Sequence, residues 1–239
     1  MWTHSKEQQE RLSPLQALEF LKEGNQRFLS NLKINRNLLH QVNQTSDDQF
    51  PFATILSCID SRTSAELIFD QGLGDIFSIR IAGNILNEDI LGSMEYACAV
   101  VNSKIIMVLG HTKCGAIISA CDHAGAGYMT GLLRKIEPAI EMENQTIEQR
   151  NGKNLLFVSN VSKNNIFLTI SQIRERSAIL RNLEAEGRIM IAGALYDVET
   201  GEVSFFDEKK DVSDLPEHGA QSGNRRRETG DRKRGKVAG

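Results

Sequence analysis

The chain has 239 residues, of which 40% are hydrophobic and 25% are charged, and its formal net charge is −3 at pH 7. These values are ordinary for a globular protein and within the size range of one α/β domain. They exclude attraction to nucleic acid or to a membrane through bulk positive charge, and no stretch approaches the length of a membrane span.

The cysteines and the N-terminus indicate where the protein works. Four cysteines scattered over a chain of this length do not resemble a disulfide framework. The N-terminal residues lack an apolar core of signal-peptide length. We therefore expect a cytoplasmic protein with reduced thiols, and no membrane or nucleic-acid partner.

The N-terminal part of the chain predicts one helix between two polar segments. Residues 1–12 are polar and are predicted to be frayed. From Pro14 to about Leu32 apolar residues recur at helical spacing, with Ser13 suited to the N-cap and Pro14 to the first turn. Residues 35–49 are predicted to be a mostly polar connection.

From residue 53 onward predicted strands and helices alternate, with a glycine-containing break at 125–131. The strands are 53–57, 76–81, 104–109, 188–195 and 203–206, and the helical stretches are 63–70, 88–102, 114–122, 132–150 and 154–186, the last with a kink near Ser162. Such alternation favours an α/β fold with a central, mostly parallel sheet flanked by helices. The turn at Glu199–Gly201 suits a hairpin between the last two strands.

Hydrophobic content falls after about Glu208, which divides the chain in two. Residues 1–208 are predicted to be a single α/β domain, and residues 209–239 a polar, basic tail that is disordered. Within the tail, residues 224–239 contain seven Lys or Arg and two acidic residues. This segment therefore carries +5 and the rest of the chain about −8. A basic tail can bind an acidic partner, but its composition favours a solvated end, and no partner is assigned.

Two short segments that each follow an apolar strand carry the chemistry. These are Cys58-Ile-Asp-Ser-Arg62 and His111-Thr-Lys-Cys114. In an open parallel sheet, ligand sites gather beyond the carboxyl ends of the strands. Two thiols and an imidazole suit Zn²⁺, and three protein ligands leave a fourth position for water or substrate. Taken singly, Cys58, His111 and Cys114 are ordinary core residues; together they predict a catalytic zinc site in the 1–208 domain.

Neighbouring residues support this interpretation. Cys114 begins a predicted helix, whose positive N-terminal end lowers a thiol pKa. Asp60 and Arg62 lie on the same side of a segment that is predicted to be extended, so they can form a bidentate pair. Alone, this pair would be a structural salt bridge; beside zinc, Asp60 can orient a water. Cys98 and Cys121 lie among apolar residues and are predicted to be buried structural thiols.

The C-x-D-S-R segment, followed about fifty residues later by H-x-x-C, resembles the β-class carbonic anhydrases over roughly Ser13 to Phe206. The resemblance implies reversible hydration of CO2 to bicarbonate and a proton by a zinc-bound hydroxide, with one Zn²⁺ per subunit. It also implies that the Asp60–Arg62 dyad orients the hydroxide. In some members the aspartate instead moves onto the metal and closes the site, and the sequence leaves that open.

Similarity to the plant-like branch implies a substrate pocket. It would be lined by Phe77, Ala82, Gly83 and Tyr96, with Gln49 donating a hydrogen bond from across a subunit interface. Ala82 stands where a valine is more usual in the family. The resemblance also implies a homodimer or a dimer of dimers, with the N-terminal helix packed on a partner subunit; packing on its own sheet is the alternative.

Two alternative functions remain on the same scaffold. One is hydrolysis of another small heterocumulene, COS or CS2, and the other is a non-catalytic zinc protein that senses bicarbonate. The branch with a regulatory bicarbonate site carries a tryptophan three residues before the first zinc cysteine. Here that residue is Ile55, and Trp2 is the only tryptophan. We therefore expect no regulatory bicarbonate pocket.

Overall fold

The computed structural model describes residues 5–207, which contain one five-stranded sheet in the order β2-β1-β3-β4-β5. The strands are β1 (Ala53–Ser57), β2 (Ile76–Arg80), β3 (Ile105–His111), β4 (Met190–Tyr196) and β5 (Val203–Phe205). The first four are parallel, and β5 pairs antiparallel with β4. The predicted α/β fold with a mostly parallel sheet and a final hairpin is confirmed.

Helices cover both faces of this sheet. They are α1 (Lys6–Arg11), α2 (Pro14–Leu29), α3 (Leu38–Gln44), α4 (Ala65–Ile68), α5 (Glu88–Glu95), α6 (Gly115–Cys121), α7 (Tyr128–Leu133), α8 (Glu137–Met142), α9 (Leu155–Arg176) and α10 (Ala178–Ala185). A 3-10 turn spans Ala82–Asn84, and a π-helical turn, Tyr96–Val100, continues α5. Apolar residues of α2 and α4 pack on one face, and those of α5, α9 and α10 pack on the other.

The two central strands, β1 and β3, are buried along their whole length. Their continuous apolar runs are typical of parallel strands that are covered on both faces. Ile55 is fully buried in this core. Strand β3 extends beyond the predicted end at Leu109, so that His111 is its last residue. Packing of the strand thus carries the histidine to the carboxyl edge of the sheet.

The prediction that residues 1–12 are frayed is wrong for α1. Ser5 and Gln8 form a capping box at its start. Gln9 is only 2% exposed, and its side-chain amide donates hydrogen bonds to the carbonyls of Pro51 (2.7 Å) and Val101 (2.9 Å). These two long-range contacts hold a polar segment on the domain, and hydrophobic periodicity carries no sign of them.

Residues 35–49 are not only a connection, because α3 lies within them. Asn37 caps this helix by accepting a hydrogen bond from the amide of His40. The inward residue is Gln41, which is 2% exposed and accepts a hydrogen bond from the amide of Leu73. A helix anchored through a buried glutamine leaves no apolar stripe in the sequence.

The long C-terminal helical region breaks at a different serine from the one predicted. Helix α9 passes through Ser162 unbroken, and the hydroxyl of that residue donates to the carbonyl of Val158 at 2.8 Å. The break is at Ser177, whose hydroxyl accepts a hydrogen bond from the amide of Leu180 and so caps α10. The other helix limits also change: α4 is shorter than predicted, and α7 and α8 replace the stretch 132–150.

Helix α2 packs on the sheet of its own chain. Ala17 and Leu21 are fully buried in the cluster that also contains Phe52 and Ile55. Leu15, on the helix's outer side, is 64% exposed. Contact of this helix with a partner subunit remains a prediction.

The buried carboxylate of Asp70, two residues after the end of α4, holds the segment that follows α2. Asp70 is 4% exposed and accepts hydrogen bonds from Arg27 (2.6 Å), Arg36 (2.6 Å) and the amide of Ile34 (3.3 Å). Burial raises the pKa of Asp70, but the two guanidinium groups and the amide outweigh it and hold the pKa below its usual value.

We expect Asp70→Asn to lower the free energy of unfolding by about 3 kcal/mol at pH 7, because it leaves two guanidinium groups without their anion. Since the folded-state pKa lies below the unfolded value of about 3.9, this stabilisation is present above that pH and disappears as pH falls through the folded-state pKa. Urea denaturation at pH 7 and at pH 3 should show a smaller difference at the lower pH. Glu7→Gln, which removes an exposed pair with Arg11, is the control and should change stability by less than about 1 kcal/mol. A variant as stable as wild type at pH 7 would contradict the assignment.

Within residues 5–207 no helix combines the length and the apolar character needed to cross a membrane. The predicted tail of residues 209–239 and Trp2 lie outside the described part of the chain. The predicted boundary at residue 208 therefore stays a prediction.

Candidate metal centre

The three predicted metal ligands meet at the carboxyl edge of the sheet. Cys58 directly follows β1, His111 ends the neighbouring strand β3, and Cys114 is the N-cap of α6. Their ligand atoms all lie within 4.8 Å of one another, and the two sulfur atoms are 3.9 Å apart. All three residues are buried. In the described part of the chain they are the only such group of His, Cys and acidic side chains.

The donor atoms fit Zn²⁺. Zinc–sulfur bonds of about 2.3 Å in a tetrahedral site place two sulfur atoms about 3.8 Å apart, close to the 3.9 Å separation of Cys58 and Cys114. Nδ1 of His111 lies 2.9 Å from the carbonyl oxygen of Thr112 and donates to it. Nε2 of His111 is buried and has no hydrogen-bond partner among residues 5–207. Because an unpaired buried nitrogen is unfavourable, a metal ligated by Nε2 would explain this arrangement.

The two thiols of the centre are unequal. A hydrogen bond from Cys114 lowers the pKa of Cys58; burial opposes this shift, and His111 and the amide of Gly83 support it. The pKa of Cys114 is raised by Cys58 and by burial, although amides at the start of α6 act in the opposite direction. The predicted lowering of the Cys114 pKa by the helix N-terminus is therefore present but outweighed.

The remaining two cysteines do not belong to the group of candidate metal ligands. Cys98 and Cys121 are each 2% exposed, which confirms the predicted burial. Burial raises the pKa of Cys98 to about 12 and that of Cys121 to about 11. Both stay protonated at neutral pH and behave as core residues.

Asp60 and Arg62 form the predicted bidentate pair. The guanidinium donates from Nε to Oδ1 (2.9 Å) and from Nη2 to Oδ2 (2.7 Å). The segment is a turn and not extended: the amide of Arg62 also donates to Oδ1 of Asp60, and the amide of Thr63 donates to the carbonyl of Asp60. The hydrogen bond from Arg62 is the main reason that the pKa of Asp60 lies well below its usual value.

The ionised carboxylate of Asp60 lies beside the metal ligands. Its Oδ2 is 3.9 Å from Nε2 of His111. Both carboxylate oxygens accept hydrogen bonds from Arg62. The guanidinium therefore fixes the orientation of the carboxylate while Oδ2 faces the centre. A carboxylate in this state can accept a hydrogen bond from a water bound between it and the metal ligands.

Sequence reasoning missed two residues that hold the Cys58–Asp60 turn. Arg80 donates to the carbonyls of Cys58 (3.0 Å) and Asp60 (2.6 Å). The hydroxyl of Thr63 lies 3.0 Å and 2.8 Å from the same two carbonyls. A signal for Arg80 was available, because it ends β2 directly opposite Ser57 of β1, and charged residues at strand ends are candidates for a site at that edge.

The 3-10 turn Ala82–Asn84 approaches the centre from the other side. The amide of Gly83 donates to Sγ of Cys58 at 3.4 Å. Gly83 has a φ of 69°, and a Cβ there would lie 2.8 Å from Cδ1 of Ile136. Only glycine combines this conformation with this approach.

Comparison with known proteins identifies the family. The sequence model of the family described as "Carbonic anhydrase" matches residues 53–203, a range that contains all three predicted metal ligands. The chain belongs to the β-carbonic anhydrases. "Carbonic anhydrase 2" of Mycobacterium tuberculosis is 33% identical to it over 202 residues, covering 82% of this chain and 94% of the relative.

Two further comparisons agree. The carbonic anhydrase of Mycolicibacterium smegmatis is 30% identical over 209 residues, covering 85% of this chain and 98% of the relative. Among solved structures, the β-carbonic anhydrase CcaA superposes with a TM-score of 0.64 at 25% identity and covers 83% of this chain and 98% of its own. The protein is thus an enzyme of a family whose general reaction is CO2 hydration; its plant-like branch remains a prediction.

The predicted substrate residues of this β-carbonic anhydrase lie in two places. Gly83 reaches Sγ of Cys58 through its amide, and Ala82 precedes it in the same 3-10 turn. Gln49 and Tyr96 instead line a surface depression of about 1020 Å³, and Phe77 and Tyr96 line a second one of about 690 Å³. Neither depression is lined by a metal ligand. Within one chain, therefore, only part of the predicted pocket is assembled.

Proposed function

We propose that this β-carbonic anhydrase catalyses the zinc-dependent, reversible hydration of CO2 to bicarbonate and a proton. One Zn²⁺ per subunit would be held by Cys58, His111 and Cys114. The observation that carries the proposal is a buried pair of thiols and an unpartnered imidazole nitrogen beside an arginine-paired carboxylate. Structural zinc is normally closed by four protein ligands, whereas three leave a position for water or substrate.

Bound there, zinc would supply a Lewis acid that lowers the pKa of a coordinated water to about 7. Through Oδ2, which faces the centre, Asp60 would accept a hydrogen bond from the attacking water and so orient that water toward CO2. Arg62 keeps the pKa of Asp60 low, so the carboxylate remains an acceptor and the proton passes on to solvent. His111 keeps its ring orientation because Nδ1 donates to the carbonyl of Thr112.

The apolar surroundings of the centre suit a small apolar gas. The ligand cysteines belong to a buried cluster that includes Ile85, Ile117 and Ile136. An apolar wall favours CO2 over water and strengthens the electrostatic effect of Asp60 and its arginine. These contacts support CO2 as the substrate.

We assign the rest of the pocket to a second copy of the chain. Gln49, Phe77 and Tyr96 line surface depressions of their own chain that the proposed metal ligands do not line, and Tyr96 is 56% exposed. A homodimer, alone or as part of a dimer of dimers, would bring them to a partner's centre. We also assign the protein to the cytoplasm, because its cysteines are free thiols.

Stopped-flow CO2 hydration by the zinc-loaded protein across about pH 6.5 to 9 tests the proposal. We expect a fast rate that rises with pH through the neutral range. Parallel assays with COS and CS2 distinguish the hydrolase alternative. Turnover of those gases without CO2 hydration would transfer the assignment to that reaction, and no turnover with zinc bound would contradict an enzymatic role.

A further inference from the structure

Helix α9 carries buried polar side chains at the point where it passes the metal centre. Asn164, Asn165 and Thr169 are 7%, 1% and 2% exposed. Burying an amide or hydroxyl without a hydrogen bond is unfavourable, so the partners of these groups are informative. The amide of Asn164 donates to the carbonyl of Ala139 at 3.2 Å, away from the metal ligands.

The other two side chains reach the turn beside the metal ligands. Nδ2 of Asn165 donates to the carbonyl of Gly83 at 2.8 Å, and the hydroxyl of Thr169 lies 3.4 Å from the carbonyl of Asn84. Residues four apart lie on the same face of a helix. One face of α9 therefore holds two successive carbonyls of the Ala82–Asn84 turn, and the bond from Asn165 is the shorter.

The backbone of the turn is left-handed at two successive residues. Gly83 has a φ of 69° and Asn84 a φ of 41°, a conformation that glycine and asparagine adopt more readily than other residues. Within the described residues, Nδ2 of Asn84 is buried without a partner, so this group supplies no hydrogen bond to the turn. The anchor comes from α9.

Close packing fixes the position of α9. Ile166, the neighbour of Asn165, lies against two glycines: a Cβ on Gly110 would be 2.6 Å from its Cδ1, and one on Gly193 would be 2.7 Å from its Cγ2. These contacts on β3 and β4 leave the helix little freedom to slide. The amide of Asn165 is thus placed on Gly83 by the packing of the sheet.

Gly83 connects Asn165 to the centre. Its carbonyl is held by Asn165, and its amide donates to Sγ of Cys58 at 3.4 Å. Hydrogen bonds to a metal-ligating group orient it and tune its charge.

We propose that Asn165 is a positioning residue of the metal centre: it fixes Gly83 so that the glycine amide stays aimed at the Cys58 thiolate. The inference rests on the proposed zinc site. It predicts that loss of the Asn165 amide weakens zinc binding, because the sulfur loses an aligned donor. It also predicts an altered electronic environment at that sulfur.

A pair of neighbouring variants tests this role. Asn165→Ala and Asn164→Ala each remove one buried amide and one hydrogen bond to a carbonyl, but only the first reaches the centre. We expect a zinc dissociation constant that is about 10–100-fold higher in Asn165→Ala and unchanged in Asn164→Ala, measured by competition with a chromophoric chelator. Both variants should lose stability against urea.

A spectroscopic readout separates positioning from general loosening of the fold. In the Co²⁺-substituted protein the thiolate-to-cobalt absorption band should shift in Asn165→Ala and stay in place in Asn164→Ala. If the alanine variant does not fold, Asn165→Leu fills a similar volume without an amide donor and should show the same changes. An unshifted band with wild-type zinc affinity in either folded Asn165 variant would overturn the inference.

The outcomes also separate this inference from the proposed function. Wild-type protein that binds no zinc would remove the basis of both. Wild-type protein that binds zinc tightly, with equal effects of the Asn164 and Asn165 variants, would overturn the positioning role alone. Weakened zinc binding confined to Asn165 variants supports it.

Discussion

Replacing Cys114 with alanine should abolish zinc retention and CO2 hydration together. The three ligand atoms lie within 4.8 Å of one another, and removal of one sulfur leaves a thiol and an imidazole, too few to hold the ion firmly. Loss of an outer-shell partner alone typically weakens metal binding by about 10–100-fold, so loss of a ligand should exceed that. Metal content after dialysis and the initial hydration rate measure the two effects.

Cys121→Ala is the matched control for this prediction. Cys121 lies on α6, the helix that Cys114 caps. It is equally buried, but it does not belong to the group of candidate metal ligands. We expect this variant to keep one zinc per chain and the wild-type rate, with at most a small loss of stability. A Cys114→Ala protein that kept full zinc content and native turnover would show that the ligand assignment is wrong.

Asp60→Asn should retain zinc and lose most of the hydration rate. The carboxylate presents two acceptor oxygens, both paired with Arg62, and Oδ2 also faces the centre. An amide of the same shape has one acceptor, so it must turn its NH2 group either toward Arg62 or toward the water. Since misplacing a reacting group by about 1 Å can cost about 10²-fold, we expect a loss of roughly that size in stopped-flow assays of the zinc-loaded variant.

The low pKa of Asp60 also predicts how the pH profile should respond to loss of its partner, Arg62. Arg62→Ala should raise that pKa toward about 3.9, its value in a free peptide, which is still far below neutrality. The carboxylate therefore stays ionised, and the variant should lose rate through poorer orientation without a new ionisation between about pH 6.5 and 9.

Glu66→Gln serves as the control for the loss of a nearby carboxylate. Glu66 accepts hydrogen bonds from the hydroxyls of Ser64 and Ser78 and, among the described residues, lies outside the group of candidate metal ligands. Its rate and pH profile should match those of wild type. Wild-type turnover in Asp60→Asn, or equal losses in the Asp60 and Glu66 variants, would remove Asp60 from the proposed mechanism.

The sequence alone determined the features of this enzyme that depend on residues close to one another in the chain. Fully buried parallel strands appear as unbroken apolar runs, so β1 and β3 were predictable, and so was the shared edge where they end. The metal ligands directly follow or end these strands, which makes Cys58 and His111 neighbours once the strands pair. The Asp60–Arg62 pair was also predictable, since its members are two residues apart. A turn in which the amide of Arg62 donates to the carboxylate of Asp60 brings them together, and not an extended segment.

Tertiary structure decided the features whose partners are distant in the chain. Gln9 holds α1 through carbonyls 42 and 92 residues away, Arg80 reaches back 22 residues to Cys58, and Asn165 reaches Gly83 across 82 residues. Each is a polar side chain whose role depends on a backbone carbonyl, and every residue type supplies such a carbonyl. The sequence therefore marks the donor but carries no sign of its acceptor, and only the packing of helices on the sheet determines which carbonyl it meets.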